Sequence, residues 1–474
     1  MSFHYKHRVY FPKLTFLLII TWVFVSCNVG KQKENVETFR TKLENIQESG
    51  VLKVAVDNNS TDYFVYRGKP MGFKYDLLQE LAKDLGIKPE FIVCENLYES
   101  FDGLINDEFD LIAKNLTITK RLGKKIDFTI PIAQTNQVLV QRLIQPEKSD
   151  SGFVYSTLEL AGKKVFVQKE SHYQQRLMNL SKEIGGQIEV VEDSVLDAEK
   201  LIELVAKGEI DYTVCDEHVA RINKTYYSNL DVSLKVSFPQ NIAWAVKIES
   251  EGWEEYINNW ISEFKKTNKY KYLYHKYFVS QWSAYRLKSG FHSINGGNLS
   301  VYDTIVKRFS NKYNWDWRLI SSIIYQESRF NHRADSWVGA YGLMQIMPNT
   351  AKSLGVKNYK DPKQNIEGGI LMLNWLNKRF SETIPDSAQR IRFVLASYNI
   401  GLGHVLDAQR LADKYGKDRH TWDDNVDYFL LNKSKKKFYK DSVVHYGYCQ
   451  GEQAYNYVNK IITNYNHYLN VFSE

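Results

Sequence analysis

The chain has 474 residues, 43% hydrophobic and 14% aromatic, with a formal net charge of +7. That apolar fraction excludes wholesale disorder, and the length exceeds one ordinary domain, so two or three domains are expected. The charge is mild and no nucleic-acid motif accompanies it, so no nucleic-acid partner is expected.

Residues 1–26 carry Lys6, Arg8 and Lys13 and no acid, so removing them leaves the remainder at +4. The basic start and the apolar run over 14–25 form a signal peptide, too short for a membrane-spanning helix. Its end, Phe24-Val25-Ser26-Cys27, resembles a bacterial lipoprotein box, with Phe24 where Leu is commoner. The resemblance implies that Cys27 is lipidated and becomes the first mature residue. An ordinary cut near Ser26 and an uncleaved anchor are the alternatives. Residues 27–43 are polar and without a hydrophobic period, a lipidated N-terminus and tether. The other cysteines are Cys94, Cys215 and Cys449. No pair has metal-ligand spacing. Cys94 and Cys215 lie in apolar runs as small core residues, and a disulfide between them stays open.

Residues 44–279 alternate strands and helices. Strands are expected at 51–56, 91–93 and 110–113, and again at 164–167, 188–191 and 211–214. A helix begins after Gly72-Phe73 and stops at Gly86, which suits a left-handed C-cap. The alternation predicts parallel sheets with crossover helices, in two halves around a cleft. Gly72-Phe73-Lys74-Tyr75-Asp76-Leu77-Leu78, Leu116-Thr117-Ile118-Thr119, Ile126-Asp127-Phe128-Thr129 and Leu160-Ala161-Gly162-Lys163-Lys164-Val165 resemble family 3 periplasmic solute-binding proteins. In that family a helix N-terminus and an Arg after the T-I-T element hold the ligand carboxylate, both physically suited to an anion. Here Leu122 stands at the usual Arg position and Arg121 one place early, which puts an ordinary amino-acid ligand in question. Asp216-Glu217 could meet a ligand ammonium; the alternative is a pair of solvated loop acids. Residues 280–298 form a polar linker with Gly290, Gly296 and Gly297.

Residues 299–474 read as all-helical, with helices over 302–313, 316–330, 365–380, 390–398, 404–415 and 454–469. The small pair Gly368-Gly369 allows close packing. Residues 416–448 are less regular, and the run Lys433 to Lys437 reads as a solvated face or a contact for wall or membrane anions. Within 316–330, Trp317, Ile320, Ile323 and Ile324 recur at helical spacing. Glu327 falls on that apolar face, where a carboxylate is costly unless paired or held neutral. A structural glutamate bonded to backbone or Arg is the alternative. A Gly339-Ala340-Tyr341-Gly342 turn then leads into Leu343-Met344-Gln345-Ile346-Met347, which Pro348 ends. Asp335 reads as a turn or cap residue.

The string E-S-R-F followed by A-D-S-W-V-G-A-Y-G-L-M-Q-I-M-P-N-T-A resembles the signature of soluble lytic transglycosylases, the goose-lysozyme-like family. Ala396-Ser397-Tyr398-Asn399-Ile400-Gly401 resembles its second motif, A-Y-N-x-G, with a Ser between Ala and Tyr. With the module before it, the chain resembles the membrane-bound lytic murein transglycosylase F family. The resemblance implies a two-lobed α/β periplasmic-binding-protein-like module followed by an all-α lysozyme-like domain. It also implies cleavage of the β-1,4 bond between N-acetylmuramic acid and N-acetylglucosamine. Glycosidases usually use two carboxylates. One suffices if the sugar's acetamide attacks C1 and its 6-hydroxyl then closes an anhydro ring, with Glu327 as acid and then base. By matching position, Ser336, Gln345, Met347, Tyr398 and Asn399 would bind substrate, Tyr398 close to Glu327. Core packing is the alternative for Met347 and Tyr398, scaffolding for Asn399 and Arg329. A hydrolytic lysozyme or chitinase of this fold, or a wall-fragment receptor with an inactive catalytic module, are the other readings. No metal, nucleotide or flavin motif is present and no cofactor is expected. The expected partners are peptidoglycan strands, a membrane reached through the lipid anchor (the outer membrane, on its periplasmic face), and a muropeptide or amino acid on the front module.

Overall fold

The computed structural model describes residues 41–94, 96–117, 126–143, 152–169, 171–250, 252–294 and 297–472. The leader, Cys27 and Arg121 lie outside the described residues.

Residues 41–280 build two α/β lobes. The first sheet runs Lys88–Val93, Val51–Val56, Leu111–Thr117, Gln240–Lys247, Ile126–Phe128, with Ala133–Thr135 also on Gln240–Lys247. The second runs Glu189–Asp193, Lys164–Gln168, Tyr212–Asp216, Gln137–Arg142, Leu230–Asp231. Parallel pairing holds where strands alternate with helices, as in Val54 beside Phe91 and Val190 beside Val165. The sheets are nevertheless mixed, not purely parallel. Gln240–Lys247 and Gln137–Arg142 lie antiparallel to their neighbours. These two strands carry the chain between lobes, so no crossover helix precedes them to set a parallel direction. At the crossing Thr135 pairs with Gln240, and the Val236 N–H donates to the Gln137 carbonyl. The helix Phe73–Leu85 ends at Gly86 with φ 72°, the left-handed cap its sequence calls for. Cys94, Cys215 and Cys449 are free and buried.

The stretch from 280 to 298 packs on the first lobe. It holds the helix Gln281–Leu287. His292 stacks on Phe64 at 4.4 Å, and Ser293 Oγ accepts the Val65 N–H.

The remainder is helical. Its main helices are Asp303–Tyr313, Trp317–Ser328, Pro362–Ser381, Ser387–Ile400, Leu402–Lys414 and Gly451–Val471. Ile320, Ile323, Ile324, Leu373, Phe393 and Ile461 share one core. The C-terminal helix, Gly451–Val471, packs against Trp317–Ser328 and Ser387–Ile400. Gly369 gives the close approach its size suggests, since a Cβ there would lie 2.3 Å from Met344 Sδ. Lys433 departs from the solvated-face reading. It is 0% exposed and donates to Asp407 Oδ2 at 2.5 Å. Asp407, equally buried, also accepts from Arg410 and from the His445 and Tyr446 backbone N–H groups. A charge inside a core persists only with such partners.

The C-terminal helix also reaches the first lobe. Tyr468 Oη donates to the Gly68 carbonyl at 2.7 Å, and Asn470 Nδ2 donates to the Phe91 carbonyl at 2.7 Å. His467 Nδ1 shares a 2.8 Å hydrogen bond with Tyr63 Oη. Val65 of the first lobe is buried in the helical domain's core. Gly68, at φ +76°, lies so close that a Cβ would meet the Tyr325 and Phe330 rings at 2.8 Å. Among the described residues no helix is long and apolar enough to cross a membrane.

Candidate active site

The helix Trp317–Ser328 begins at Asp316, whose side chain accepts the Arg318 N–H, and buries Ile320, Ile323 and Ile324. Its last turn presents Glu327, half-buried. Among the described residues the carboxyl has one hydrogen-bond partner, Tyr457 of the C-terminal helix, whose Oη donates to Oε1 at 2.5 Å. Burial pushes the carboxyl up to about 7, and the Tyr457 hydrogen bond opposes that rise by favouring the charged form. No other charge contributes among the described residues. Burial, then the Glu327 carboxylate, holds the Tyr398 phenol well above its ordinary range. The same two causes act in the same order on Tyr457. Both phenols therefore keep their protons near neutrality and act as donors.

A loop closes the other side. Just beyond the helix, Arg329 and Phe330 adopt φ of 50° and 62°, and Gln345 φ 48°. Left-handed backbone at non-glycine residues costs about 1–2 kcal/mol each and persists where the surroundings enforce it. Here the enforcement is visible. Ser328 Oγ donates to the Leu343 carbonyl at 2.9 Å. Fully buried Asn365 accepts the Met344 N–H at 2.8 Å and donates to the Tyr341 carbonyl at 2.9 Å. Gly342, at φ +85°, has no room for a Cβ, which would lie 2.5 Å from Asn365 Nδ2.

The other residues singled out from sequence fall into distinct places. Tyr398 Oη donates to the Met344 carbonyl at 2.7 Å, so the phenol fixes the loop beside Glu327. Gln345 spends its amide donors on the Ala334 and Gly342 carbonyls, at 3.1 and 2.9 Å, leaving its carbonyl oxygen to accept from a ligand. Ser336 Oγ accepts the Ala340 N–H at 2.8 Å and closes the loop tip. Met347 is 39% exposed, a surface residue rather than a core one. Asn399 is exposed, one residue past Tyr398. Asp335 pairs with Tyr341 in an isolated bridge, as a turn residue would.

Tyr457, Ser328 and Asn365 were not singled out from sequence. Tyr457 sits among Ala454, Val458 and Ile461 at helical spacing, the pattern of plain core. The one available signal was its hydroxyl, since a buried phenol needs a partner.

A second cluster lies where strands of the two lobes end. Asp216 closes the strand Tyr212–Asp216 and is 0% exposed, not solvated. Neither of its oxygens has a hydrogen-bond partner among the described residues; His172 Nε2 stands 3.6 Å away. Burial opposes its ionisation, but His172, His218 and Tyr173 together hold the carboxyl below the ordinary range. Glu217 instead pairs with Arg221 and Lys235. Glu199 of the second lobe accepts the Ser60 N–H of the first lobe at 3.1 Å, and the Ser60 hydroxyl as well. Burial, then Asp197, pushes Glu199 up to about 7.

The family described as Transglycosylase SLT domain matches residues 304–421, and Bacterial extracellular solute-binding proteins, family 3, matches 52–280. Membrane-bound lytic murein transglycosylase F of Desulfosudis oleivorans is 32% identical over 450 residues, covering 94% of this chain and 96% of the relative. The protein of that name from Photobacterium profundum is 33% identical over 429 residues, covering 89% and 80%. Among solved structures, a mutant of ArgBP from T. maritima aligns with 26% identity and a TM-score of 0.44, over 50% of this chain and 100% of its own.

Replacing Tyr457 by Phe removes the one hydrogen bond that favours the charged carboxyl. The Glu327 pKa is expected to rise by up to about one unit, given about 1.4 kcal/mol per unit and a charged hydrogen bond of that order. Carboxyl carbon NMR titration of the two proteins reads this directly. An unchanged or lowered value would mean that Tyr457 does not set the ionisation.

Proposed function

The chain belongs to the membrane-bound lytic murein transglycosylase F family, a peptidoglycan lytic transglycosylase of the cell envelope, and we propose that Glu327 carries its reaction alone, as acid and then base. The observation that supports this is the half-buried carboxyl with a pKa of about 7, acted on by Tyr457 and by no other charge among the described residues. Near neutrality both protonation states are accessible, which suits a group that must give and retake one proton. Glu327 gives its proton to the glycosidic oxygen as the bond from C1 of N-acetylmuramic acid breaks. The 2-acetamido oxygen of the same sugar attacks C1. The Glu327 carboxylate then takes the 6-hydroxyl proton, O6 bonds to C1, and the acetamide leaves. The intramolecular hydroxyl has the advantage of proximity over water. Ser336, Gln345, Met347, Tyr398 and Asn399 would line the sugar subsites, Tyr398 by fixing the loop.

Glu327→Gln keeps the shape but not the proton, and should lower turnover of purified murein at least about a hundredfold. For the unaltered enzyme kcat/KM should fall as pH rises through about 7, where the acid form is lost. Product masses should show 1,6-anhydromuramic ends. Reducing ends, one water heavier, would move the enzyme to the hydrolases. A fully active Gln variant would mean that Glu327 is structural.

We also propose that the chain is an exported lipoprotein anchored through Cys27, on the outer membrane's periplasmic face. The support is the basic start, the short apolar run and Phe24-Val25-Ser26-Cys27. Several acyl chains anchor stably where one binds weakly. A Cys27→Ala variant should leave the membrane fraction or accumulate as precursor; unaltered processing and fractionation would sink this assignment.

The front module we propose to be a sensor of wall fragments, binding a murein-derived peptide or amino acid between its lobes. Asp216 would meet an ammonium and Arg121 a carboxylate. Buried Asp216 supports this: neither of its oxygens has a hydrogen bond among the described residues, and His172 stands off at 3.6 Å, so a ligand ammonium could still satisfy the carboxylate. The C-terminal helix supplies a physical link, since His467 and Asn470 bond the first lobe about 15–20 Å along from Tyr457. Calorimetry of the full chain with stem peptides and free amino acids should give heat, and the ligand found should change murein turnover by about 5–150-fold. No heat from any of them would leave the module a docking role only.

A further inference from the structure

A groove of about 740 Å³ runs along the seam between the first lobe and the helical domain. Four cations line it: Lys69 and Lys88 from the lobe, Arg329 and Lys460 from the helical domain. No carboxylate lines it, and none of the four has an ion-pair partner among the described residues. All four are exposed. A seam built only for docking would set opposite charges against each other, because like charges brought together cost stability. Here both sides bring positive charge, which calls for a negative third party.

The rest of the lining narrows that party. Asn456, Asn459, Thr463 and Asn464 fall on one side of the C-terminal helix and offer amides and a hydroxyl along the groove. From Asn456 to Thr463 the helix rises about 10 Å. An extended peptide of three or four residues spans about 10–14 Å. Tyr75, Tyr325 and Tyr455 add flat aromatic surface. A compact anion such as inorganic phosphate would use a fraction of this length. The groove lies on another face of the two helices that hold the reacting pair: its wall includes Gln326 and Asn456, chain neighbours of Glu327 and Tyr457, which places it within one helix diameter, about 10–12 Å, of that carboxyl.

We propose that this groove takes the stem peptide of the murein strand being cleaved. The inference rests on the Glu327 reading above. The stem peptide leaves the lactyl group of the muramic residue whose C1 reacts at Glu327, so it must exit within a few ångströms of that carboxyl. Its free carboxylates meet the four cations, and its backbone amides meet the polar row on the C-terminal helix. Two of the cations belong to the front module, so that module contributes directly to substrate selection, separately from any ligand between its lobes.

The test uses the full chain and two substrates: intact murein strands, and the same strands stripped of stem peptides by an amidase. Lys69→Gln/Lys88→Gln changes only exposed side chains of the first lobe. Its ratio of kcat/KM on peptide-bearing strands to that on bare strands should fall by about fivefold or more, with KM carrying the change and added salt shrinking it. This is the scale of two exposed charge pairs in the middle of their range. Lys460→Gln, across the groove, should move the ratio the same way. An unchanged ratio overturns the groove, and so does an equal loss on both substrates, which would mean general steering of a polyanion. Loss of binding to phosphatidylglycerol vesicles with the ratio intact makes the surface a lipid contact and also overturns it. Cleavage of bare strands to anhydro products checks the Glu327 reading independently. A failure of the lysine effect alone therefore condemns the groove, whereas reducing-end products from either substrate condemn the parent reading.

Discussion

A carboxylic acid taken partly out of water, with one tyrosine to hold it, is the interaction on which this molecule turns. Glu327 ends an apolar helix, and burial there pushes its pKa up to about 7 while Tyr457 pulls the other way. Deeper burial without the phenol would favour the acid so strongly that the base form became scarce. A fully solvated carboxyl would be charged at neutral pH and unable to donate. The balance needs Tyr457 held to within a hydrogen bond, and that requirement passes down the C-terminal helix. The helix is fixed by packing against Trp317–Ser328 and Ser387–Ile400 on its own side. On the far side it is fixed by Tyr468 to Gly68 and Asn470 to Phe91.

The loop from Ala334 to Met347 shows the same economy. Polar side chains that resemble ligand-binding residues are largely occupied in holding backbone. Gln345 uses both amide hydrogens, Tyr398 its hydroxyl, Ser336 its oxygen and Asn365 its whole amide. Three left-handed residues around Glu327 store strain that these bonds enforce. The result is a loop fixed by its own side chains, which leaves the Gln345 carbonyl oxygen and the exposed Met347 and Asn399 outside those bonds.

The two modules are one packed body rather than beads on a tether. Val65 enters the helical core, and Gly68 lies against the rings of Tyr325, on the helix that carries Glu327, and of Phe330 just beyond it. A change in the first lobe therefore has a short mechanical route to the Glu327 carboxyl, through rings and a helix that are poorly compressible. The positive seam beside that route is where packing alone does not explain the residues present.

Periodicity was enough to read the helices, the parallel strand pairs and the seat of Glu327, because each depends on residues close in sequence. Gly86 as a left-handed cap and Gly369 as a close contact were legible for the same reason: both are local backbone or size constraints. The short motifs around Glu327 and Tyr398 carried the family, and with it the reaction class. Tertiary structure decided the rest. Tyr457 looked like core until a partner 130 residues away in sequence appeared beside its hydroxyl. Lys433 looked solvated because its partner Asp407 lies on another helix. Asp216 read as a ligand contact or a solvated loop acid, and its burial, which excludes the second, follows from how the second lobe packs around the end of its strand. The antiparallel strands Gln137–Arg142 and Gln240–Lys247 escaped the alternation because their direction is set by the chain crossing between lobes. A pattern along the chain reports what each residue prefers. Which distant group satisfies a buried hydroxyl, ammonium or carboxylate is fixed only when the elements pack, because that choice depends on distances in space.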